Sequence, residues 1–186
     1  SFALSLTIAI PLGIYVALRQ YSALDYAVGF VSFMGISVPS FWLGILAIYV
    51  FAVHLQWFPP GGMTTVGGAE PPGLWDKLHH LILPALVLSV QTIAVWIRYM
   101  RASMLEVLHD DYVRTARAKG LSEGRVIAKH ALRNALIPIV TLMALSVPAL
   151  FSGALITETI FAWPGMGRLL YRSVINQDHM VAMIAF

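Results

Sequence analysis

The sequence predicts an all-α protein, a polytopic bundle of membrane-spanning helices. Three observations carry this. The 186 residues are 59% hydrophobic and only 11% charged, where a soluble domain holds about 25% charged residues. The apolar residues fall into runs long enough to cross a bilayer, separated by short polar breaks. The charges are segregated: between Arg101 and Ile137 stand seven Lys/Arg (Arg101, Arg114, Arg117, Lys119, Arg125, Lys129, Arg133) against four acids (Glu106, Asp110, Asp111, Glu123). Each charge at the centre of a bilayer costs about 2.5–3.5 kcal/mol, so that island must protrude. There is no cysteine, which excludes disulfides and thiolate metal sites.

Phe2 to Leu18 is the first expected span, with Pro11 and Gly13 able to kink it if a neighbour packs there. Arg19 to Asp25 is a polar turn. Tyr26 to Val53 reads as a second span, longer than a crossing needs, so tilt or extension is expected. Its small residues Gly29, Gly35, Ser37, Ser40 and Gly44, with Pro39, suit close helix packing. His54 to Lys77 is a polar loop broken at Pro59-Pro60-Gly61-Gly62 and Pro71-Pro72-Gly73. Trp57, Phe58 and Trp75 at its ends suit the headgroup level. The adjacent His79 and His80 are poorly spaced to share a metal, and an interfacial position is the simpler reading.

Leu81 to Ile97 is the third span, closed by Arg98 and Arg101. Leu136 to Ile156 is the fourth, with Pro138 in its first turn and Pro148 in its middle. Thr157 to Arg172 is a polar loop broken at Trp163-Pro164-Gly165, and a fifth apolar run begins at His179. The chain opens inside an apolar run and closes a few residues into another, so a single membrane domain over 1–186, incomplete at both ends, is expected. The opening run lacks the basic lead and the cleavage-like ending of a signal peptide. Loops alternate sides, and nine of the twelve Lys/Arg fall on one side. The positive-inside bias places Arg19–Asp25 and Arg98–Ala135 in the cytoplasm and His54–Lys77 and Thr157–Asp178 outside.

Within the cytoplasmic loop, 101–135, Asp110 and Asp111 suit a helix N-terminus. Tyr112 to Lys119 then reads as a short helix closed by Gly120 in a left-handed conformation. Ser122 can cap a second helix that runs from Glu123 towards Asn134 and feeds the fourth span. A helix this short is unstable alone and needs docking, on its own domain or on another protein. A solvated basic loop beside anionic lipid is the competing reading.

The segment YVRTARAKGLSE followed by HALRNALIP (Tyr112–Glu123, His130–Pro138) resembles the cytoplasmic "EAA" loop of ABC-importer permeases, in the dipeptide/oligopeptide/nickel subfamily. So do ISVPSFWLG (Ile36–Gly44), RASMLEVL (Arg101–Leu108) and ETIFAWPGMGRLL (Glu158–Leu170). Against the generic motif only Ala116, Gly120 and Leu132 agree, with Arg114 and Thr115 where the family has glutamate and alanine. The resemblance implies a type I ABC-importer permease fold of six spans, of which this chain would hold about five. It implies a multi-pass subunit of a bacterial or archaeal inner membrane, paired with a second permease subunit. Two cytoplasmic ATPases would dock through Tyr112, Arg114, Thr115, Ala116, Arg117, Ala118, Lys119, Gly120 and Leu121. An external solute-binding protein would deliver peptide, or a nickel chelate or glutathione-like solute, to the side of Trp57 and of Trp163, Pro164, Gly165 and Gly167. ATP and Mg would sit on the partners, with no cofactor, metal or nucleic acid on this chain, which has no Gly-x-x-x-x-Gly-Lys-Ser/Thr motif.

A polar path through apolar helices would draw on Ser89, Gln91, Thr92, Thr141, Ser146 and Ser152, each of which could instead be interhelical glue. Pro148 frees a backbone carbonyl and could hinge its span. Glu158 either holds the external loop by pairing with Arg168 or meets a peptide amine or a metal cation. An intramembrane enzyme is disfavoured, because no span carries paired aspartates, a Ser/His pair or His-Glu-x-x-His. An ion channel is disfavoured by the absence of a filter motif.

Overall fold

The computed structural model of the chain describes residues 1–65, 73–152 and 154–185, with the backbone alone for 149–152 and 185. Its elements are helical, with no strand among the described residues. They fall into two compact units. One comprises Phe2–Ser37 and Val90–Ser146, the other Val38–Ser89 and Val147–Phe186.

In the first unit α1 (Phe2–Leu18) coincides with the expected span and stays helical through Pro11. Gly13 is where a later helix, α4 (Leu74–Leu108), comes close: a Cβ there would stand 2.6 Å from Met100 Cβ and 3.1 Å from the Ile97 carbonyl oxygen. Helix α2 (Ala23–Ser37) opens with a variant of the capping box, in which the returning bond goes to the residue before the cap. The Asp25 amide donates to Ser22 Oγ at 3.2 Å, and the Asp25 carboxylate accepts the Tyr21 N–H at 3.0 Å. The expected single helix over Tyr26–Val53 is not formed. It stops at Ser37, and α3 (Ser40–Ala47) restarts after Pro39, continuing as a π-helical turn over Ile48–His54. Proline's missing N–H and its clash with the residue before it account for the break, and Pro39 is extended at φ −60°, ψ 137°.

Helix α4 (Leu74–Leu108) has 35 residues. It begins before and ends well after the expected Leu81–Ile97, because Arg98 and Arg101 lie in helix rather than ending it. Of the described helices it is the one long and apolar enough to cross a membrane by itself. Ala23–Ser37 with Ser40–His54, and Glu123–Ala135 with Ile137–Pro148, qualify only if each bent pair counts as one span. After α5 (Asp111–Ala118), the expected helix from Glu123 is assembled from α6 (Glu123–Arg125), a π-helical stretch Val126–Ala131 and α7 (Leu132–Ala135). It meets α8 (Ile137–Ser152) at a bend of 40° rather than running straight on.

In the second unit the fourth expected span ends four residues early, at Ser152. The supposed polar loop holds two helices, α9 (Leu155–Ile160) and α10 (Met166–Ile175), followed by α11 (His179–Ala185). Phe161, after α9, is 1% exposed and packs with Ala47, Leu83 and Val87. Its carbonyl accepts the Gly62 N–H at 2.8 Å, and a Cβ at Gly61 would stand 2.6 Å from that same oxygen. Thus the Pro-Pro-Gly-Gly segment is bound to the end of α9. Pro71 and Pro72, the second expected break, lie outside the described residues. The expected small-residue face of Tyr26–Val53 is divided: Gly35 faces Val90 and Ala94, Gly44 faces Ile160 and Phe161, and Gly29 faces open space.

Candidate functional site

Helix α5 has two faces. Val113 and Ala116, three residues apart, are 0% and 5% exposed and pack with Met100, Met104, Val107, Val126, Ala131 and Ala135. Tyr112, Arg114, Thr115, Arg117, Ala118, Lys119 and Gly120 face outward. This burial supplies what an eight-residue helix cannot supply alone. Gly120 closes the helix at φ +76°. Its N–H donates to the Arg117 carbonyl at 2.9 Å and the Leu121 N–H to the Ala116 carbonyl at 3.4 Å. That pair of hydrogen bonds is a Schellman closure, with Leu121 packed on the same core as Ala116. The expected N-terminal position of Asp110 is correct, although its side chain makes no capping hydrogen bond.

Two ties fix the corner. The Arg117 guanidinium donates through Nη2 to Glu123 Oε1 at 2.7 Å and through Nε to Oε2 at 3.2 Å. Asn134 Nδ2 donates to the Tyr112 hydroxyl at 2.7 Å. The Arg117 hydrogen bond holds the Glu123 carboxyl below the usual glutamate range, and its charge adds to the effect. Beside Tyr112 and Asn134 lies a notch of about 480 Å³ lined by Lys129, His130 and Arg133, with no acid among its lining residues. The two ties were not anticipated from the sequence. The i, i+6 spacing of Arg117 and Glu123 becomes a contact only once Gly120 turns the chain back.

The second unit holds a different corner. Glu158 Oε1 accepts the Ala154 N–H at 3.0 Å, and Oε2 accepts the Arg168 N–H at 2.8 Å. Arg168 is the third residue of α10, so Glu158 does for that helix what a capping side chain does. The residue in the cap position, Gly165, has none. A Cβ on Gly165 would fall onto the Glu158 carboxyl group, and one on Gly167 would stand 3.1 Å from its Oε2 and 2.7 Å from the Leu155 nitrogen. The expected pairing with Arg168 is therefore made through its backbone amide, while its guanidinium donates to the Trp163 carbonyl at 3.3 Å. Trp163 is half-buried and Pro164 exposed.

Three of the remaining polar candidates are bonded within their own helices. Ser89, 1% exposed, donates to the Leu86 carbonyl at 2.8 Å. Thr141 donates to the Ile137 carbonyl at 3.1 Å and Ser146 to that of Leu142 at 2.7 Å. Gln91 and Thr92 are half-buried and Pro148 is exposed. The side chain of Ser152 lies outside the described residues. Gln91, Thr92, Thr141 and Ser146 belong to one unit, and Ser89, Pro148 and Glu158 to the other. His79 is bonded through Nε2 to the Trp57 carbonyl and His80 through Nδ1 to that of Asp76, each at 2.9 Å. In the first unit the pairing of Asp25 with Arg101 was also unforeseen: Nε and Nη2 reach the two carboxylate oxygens at 2.6 and 2.7 Å. The signal was an acid at one polar edge and an arginine at the end of a distant apolar run.

Residues 9–186 match the model of the family described as "binding-protein-dependent transport system inner membrane component". The chain is 46% identical over 183 residues to an oligopeptide transport system permease protein of Bacillus subtilis, covering 98% of this chain and 57% of that protein. It is 44% identical to a di/tripeptide transport system permease protein of Pseudomonas aeruginosa and 40% identical to a dipeptide transport system permease protein of Escherichia coli K12, in each case over 94% of this chain and 57% of the relative. The chain thus spans a little over half the length of the curated relatives it matches.

Proposed function

The chain belongs to that family of inner-membrane transport components, and from this premise we propose that it is part of a permease subunit of an ATP-driven importer of peptides. The observation that carries the reading is the build of α5: two inward residues dock it, a glycine closure and an ion pair fix its end, and a polar face is left exposed. Such a surface suits a partner that pushes on it, and the 40° join to α8 gives a path by which movement of α5 reaches an apolar helix. ATP hydrolysis is assigned to two partner subunits, with Mg, and delivery of substrate to an external binding protein. A second permease subunit completes the pathway. Peptides are favoured over nickel chelates because the relatives named above are peptide permeases.

Ala116 is a poor place to test docking, because it is buried against the chain's own core. Ala118 is exposed. In the complete transporter reconstituted in liposomes, Ala118→Trp should abolish peptide-stimulated ATP hydrolysis while the permease stays folded. Unchanged stimulation would refute docking on this face. The described sequence contains no cysteine, so Lys119→Cys offers a handle for an impermeant thiol reagent. Modification only from outside intact cells would overturn the cytoplasmic placement.

A further inference from the structure

Between α2 and α4 in the first unit lies an open groove of about 960 Å³. The two helices are antiparallel across it, since Asp25 meets Arg101 at one end and Gly35 faces Val90 and Ala94 at the other. Its two ends differ in chemistry. Tyr26, Arg98 and Tyr99 line it near the Asp25–Arg101 pair, while Phe33, Ile36 and Val95 line the far end. Gly29 lies between, where an added Cβ would meet nothing within 4 Å.

The charge at the polar end does not balance. Arg101 is taken up by Asp25 through both its hydrogen bonds. Arg98 is exposed and forms no ion pair with an acid among the described residues. Two arginines against one aspartate leave one positive charge in a groove otherwise lined by aromatic, aliphatic and small residues. The dimensions fit one class of ligand. From Asp25 to Ile36 the helix rises roughly 16 Å, close to the roughly 15 Å of hydrocarbon in one leaflet. An apolar helix of another protein would match the far end but would leave Arg98 uncompensated.

We propose that this groove binds one anionic phospholipid, with its phosphate at Arg98 and an acyl chain along Gly29, Phe33 and Val95. Tyrosines at its polar end suit the headgroup level, and basic pockets between membrane helices select anionic headgroups. The proposal rests on the cytoplasmic placement of α5 only for which leaflet supplies the lipid, and that placement is tested separately by labelling at position 119.

The test uses the complete transporter, extracted in mild detergent and offered equal amounts of phosphatidylglycerol and phosphatidylcholine. Native mass spectrometry should find phosphatidylglycerol retained in preference by about fivefold, the effect of one basic group near a membrane surface. Arg98→Gln should bring the two lipids to parity. Gly29→Trp fills the groove without altering charge and should lower retention of both. A photo-crosslinking residue at Tyr26 should capture lipid. Equal retention by the unaltered protein, a preference that survives Arg98→Gln, or capture of a peptide instead of lipid would each overturn the proposal.

Discussion

The corner at Gly120 and the corner at Gly165 both depend on a glycine and a glutamate, for opposite reasons. Gly120 has empty space around it and a φ of +76°, so it is the backbone torsion that excludes a side chain. Gly165 has an ordinary φ of −108°, and it is the Glu158 carboxyl group that occupies the space. Likewise Glu123 pairs with Arg117 while more than half exposed, whereas Glu158 is partly buried and takes backbone amides through both oxygens. One corner is sprung from the outside and can yield. The other is built around its acid and cannot lose it without losing the N-terminus of α10. A surface that transmits force to a partner suits the first construction, and a fixed frame suits the second.

Substitution at Gly165 separates the two corners most sharply. Gly165→Ala should displace Glu158, leaving its carboxylate and two amides without partners, at a cost of about 3 kcal/mol. Thermal unfolding of the full-length subunit in detergent should show it, and an unchanged midpoint would mean that the carboxylate is not seated there. Glu158→Gln keeps the shape but turns one of the two acceptor oxygens into an NH2 donor facing a backbone N–H, so a loss of about 1.5 kcal/mol is expected in the same assay. If Gln proved as damaging as Gly165→Ala, the two acceptor oxygens rather than the space Gly165 leaves would dominate that corner. Gly120→Ala should cost about 1 kcal/mol through left-handed strain and act locally: amide exchange in α5 should quicken while α10 stays protected. Exchange spreading to α10 would break the contrast.

The smallest effect is that of pH on the outer corner. The folded pKa of Glu123 is depressed, so its pairing stabilises above the pH at which a free glutamate titrates and is lost as pH falls through the folded value. Protection of α5 amides relative to their intrinsic exchange rate should be flat near neutrality and fall under acid, and Arg117→Met should remove that dependence. The exposure of the pair keeps the amplitude low.

How much of this was legible beforehand follows from which forces are local. Hydropathy located α1 to the residue, and a glycine after a run of helix formers located the end of α5, because both signals lie within a few neighbouring positions. Pro39 lies inside the run that hydropathy alone makes one span. What decides between a kink and a break is whether neighbours satisfy the freed backbone groups, and that is a tertiary matter. Arg98 and Arg101 close the apolar run, yet a helix can simply continue past it into water. The seat of Glu158 joins residues up to ten positions apart, and the Asp25–Arg101 pair joins residues 76 apart. No periodicity reports such distances. Nothing within the motif Trp-Pro-Gly-Met-Gly reports that its glycines make room for the carboxylate of Glu158.

Helix α4 carries a mechanical consequence. Its 35 residues extend about 52 Å, against a hydrocarbon layer of about 30 Å, so roughly 20 Å of rod is left over. Thickening or thinning of the bilayer by a few ångströms is then absorbed by how much of the rod stands in water. The seat of α5 against Met104 and Val107, near the rod's far end, keeps its geometry whichever lipids surround the shaft.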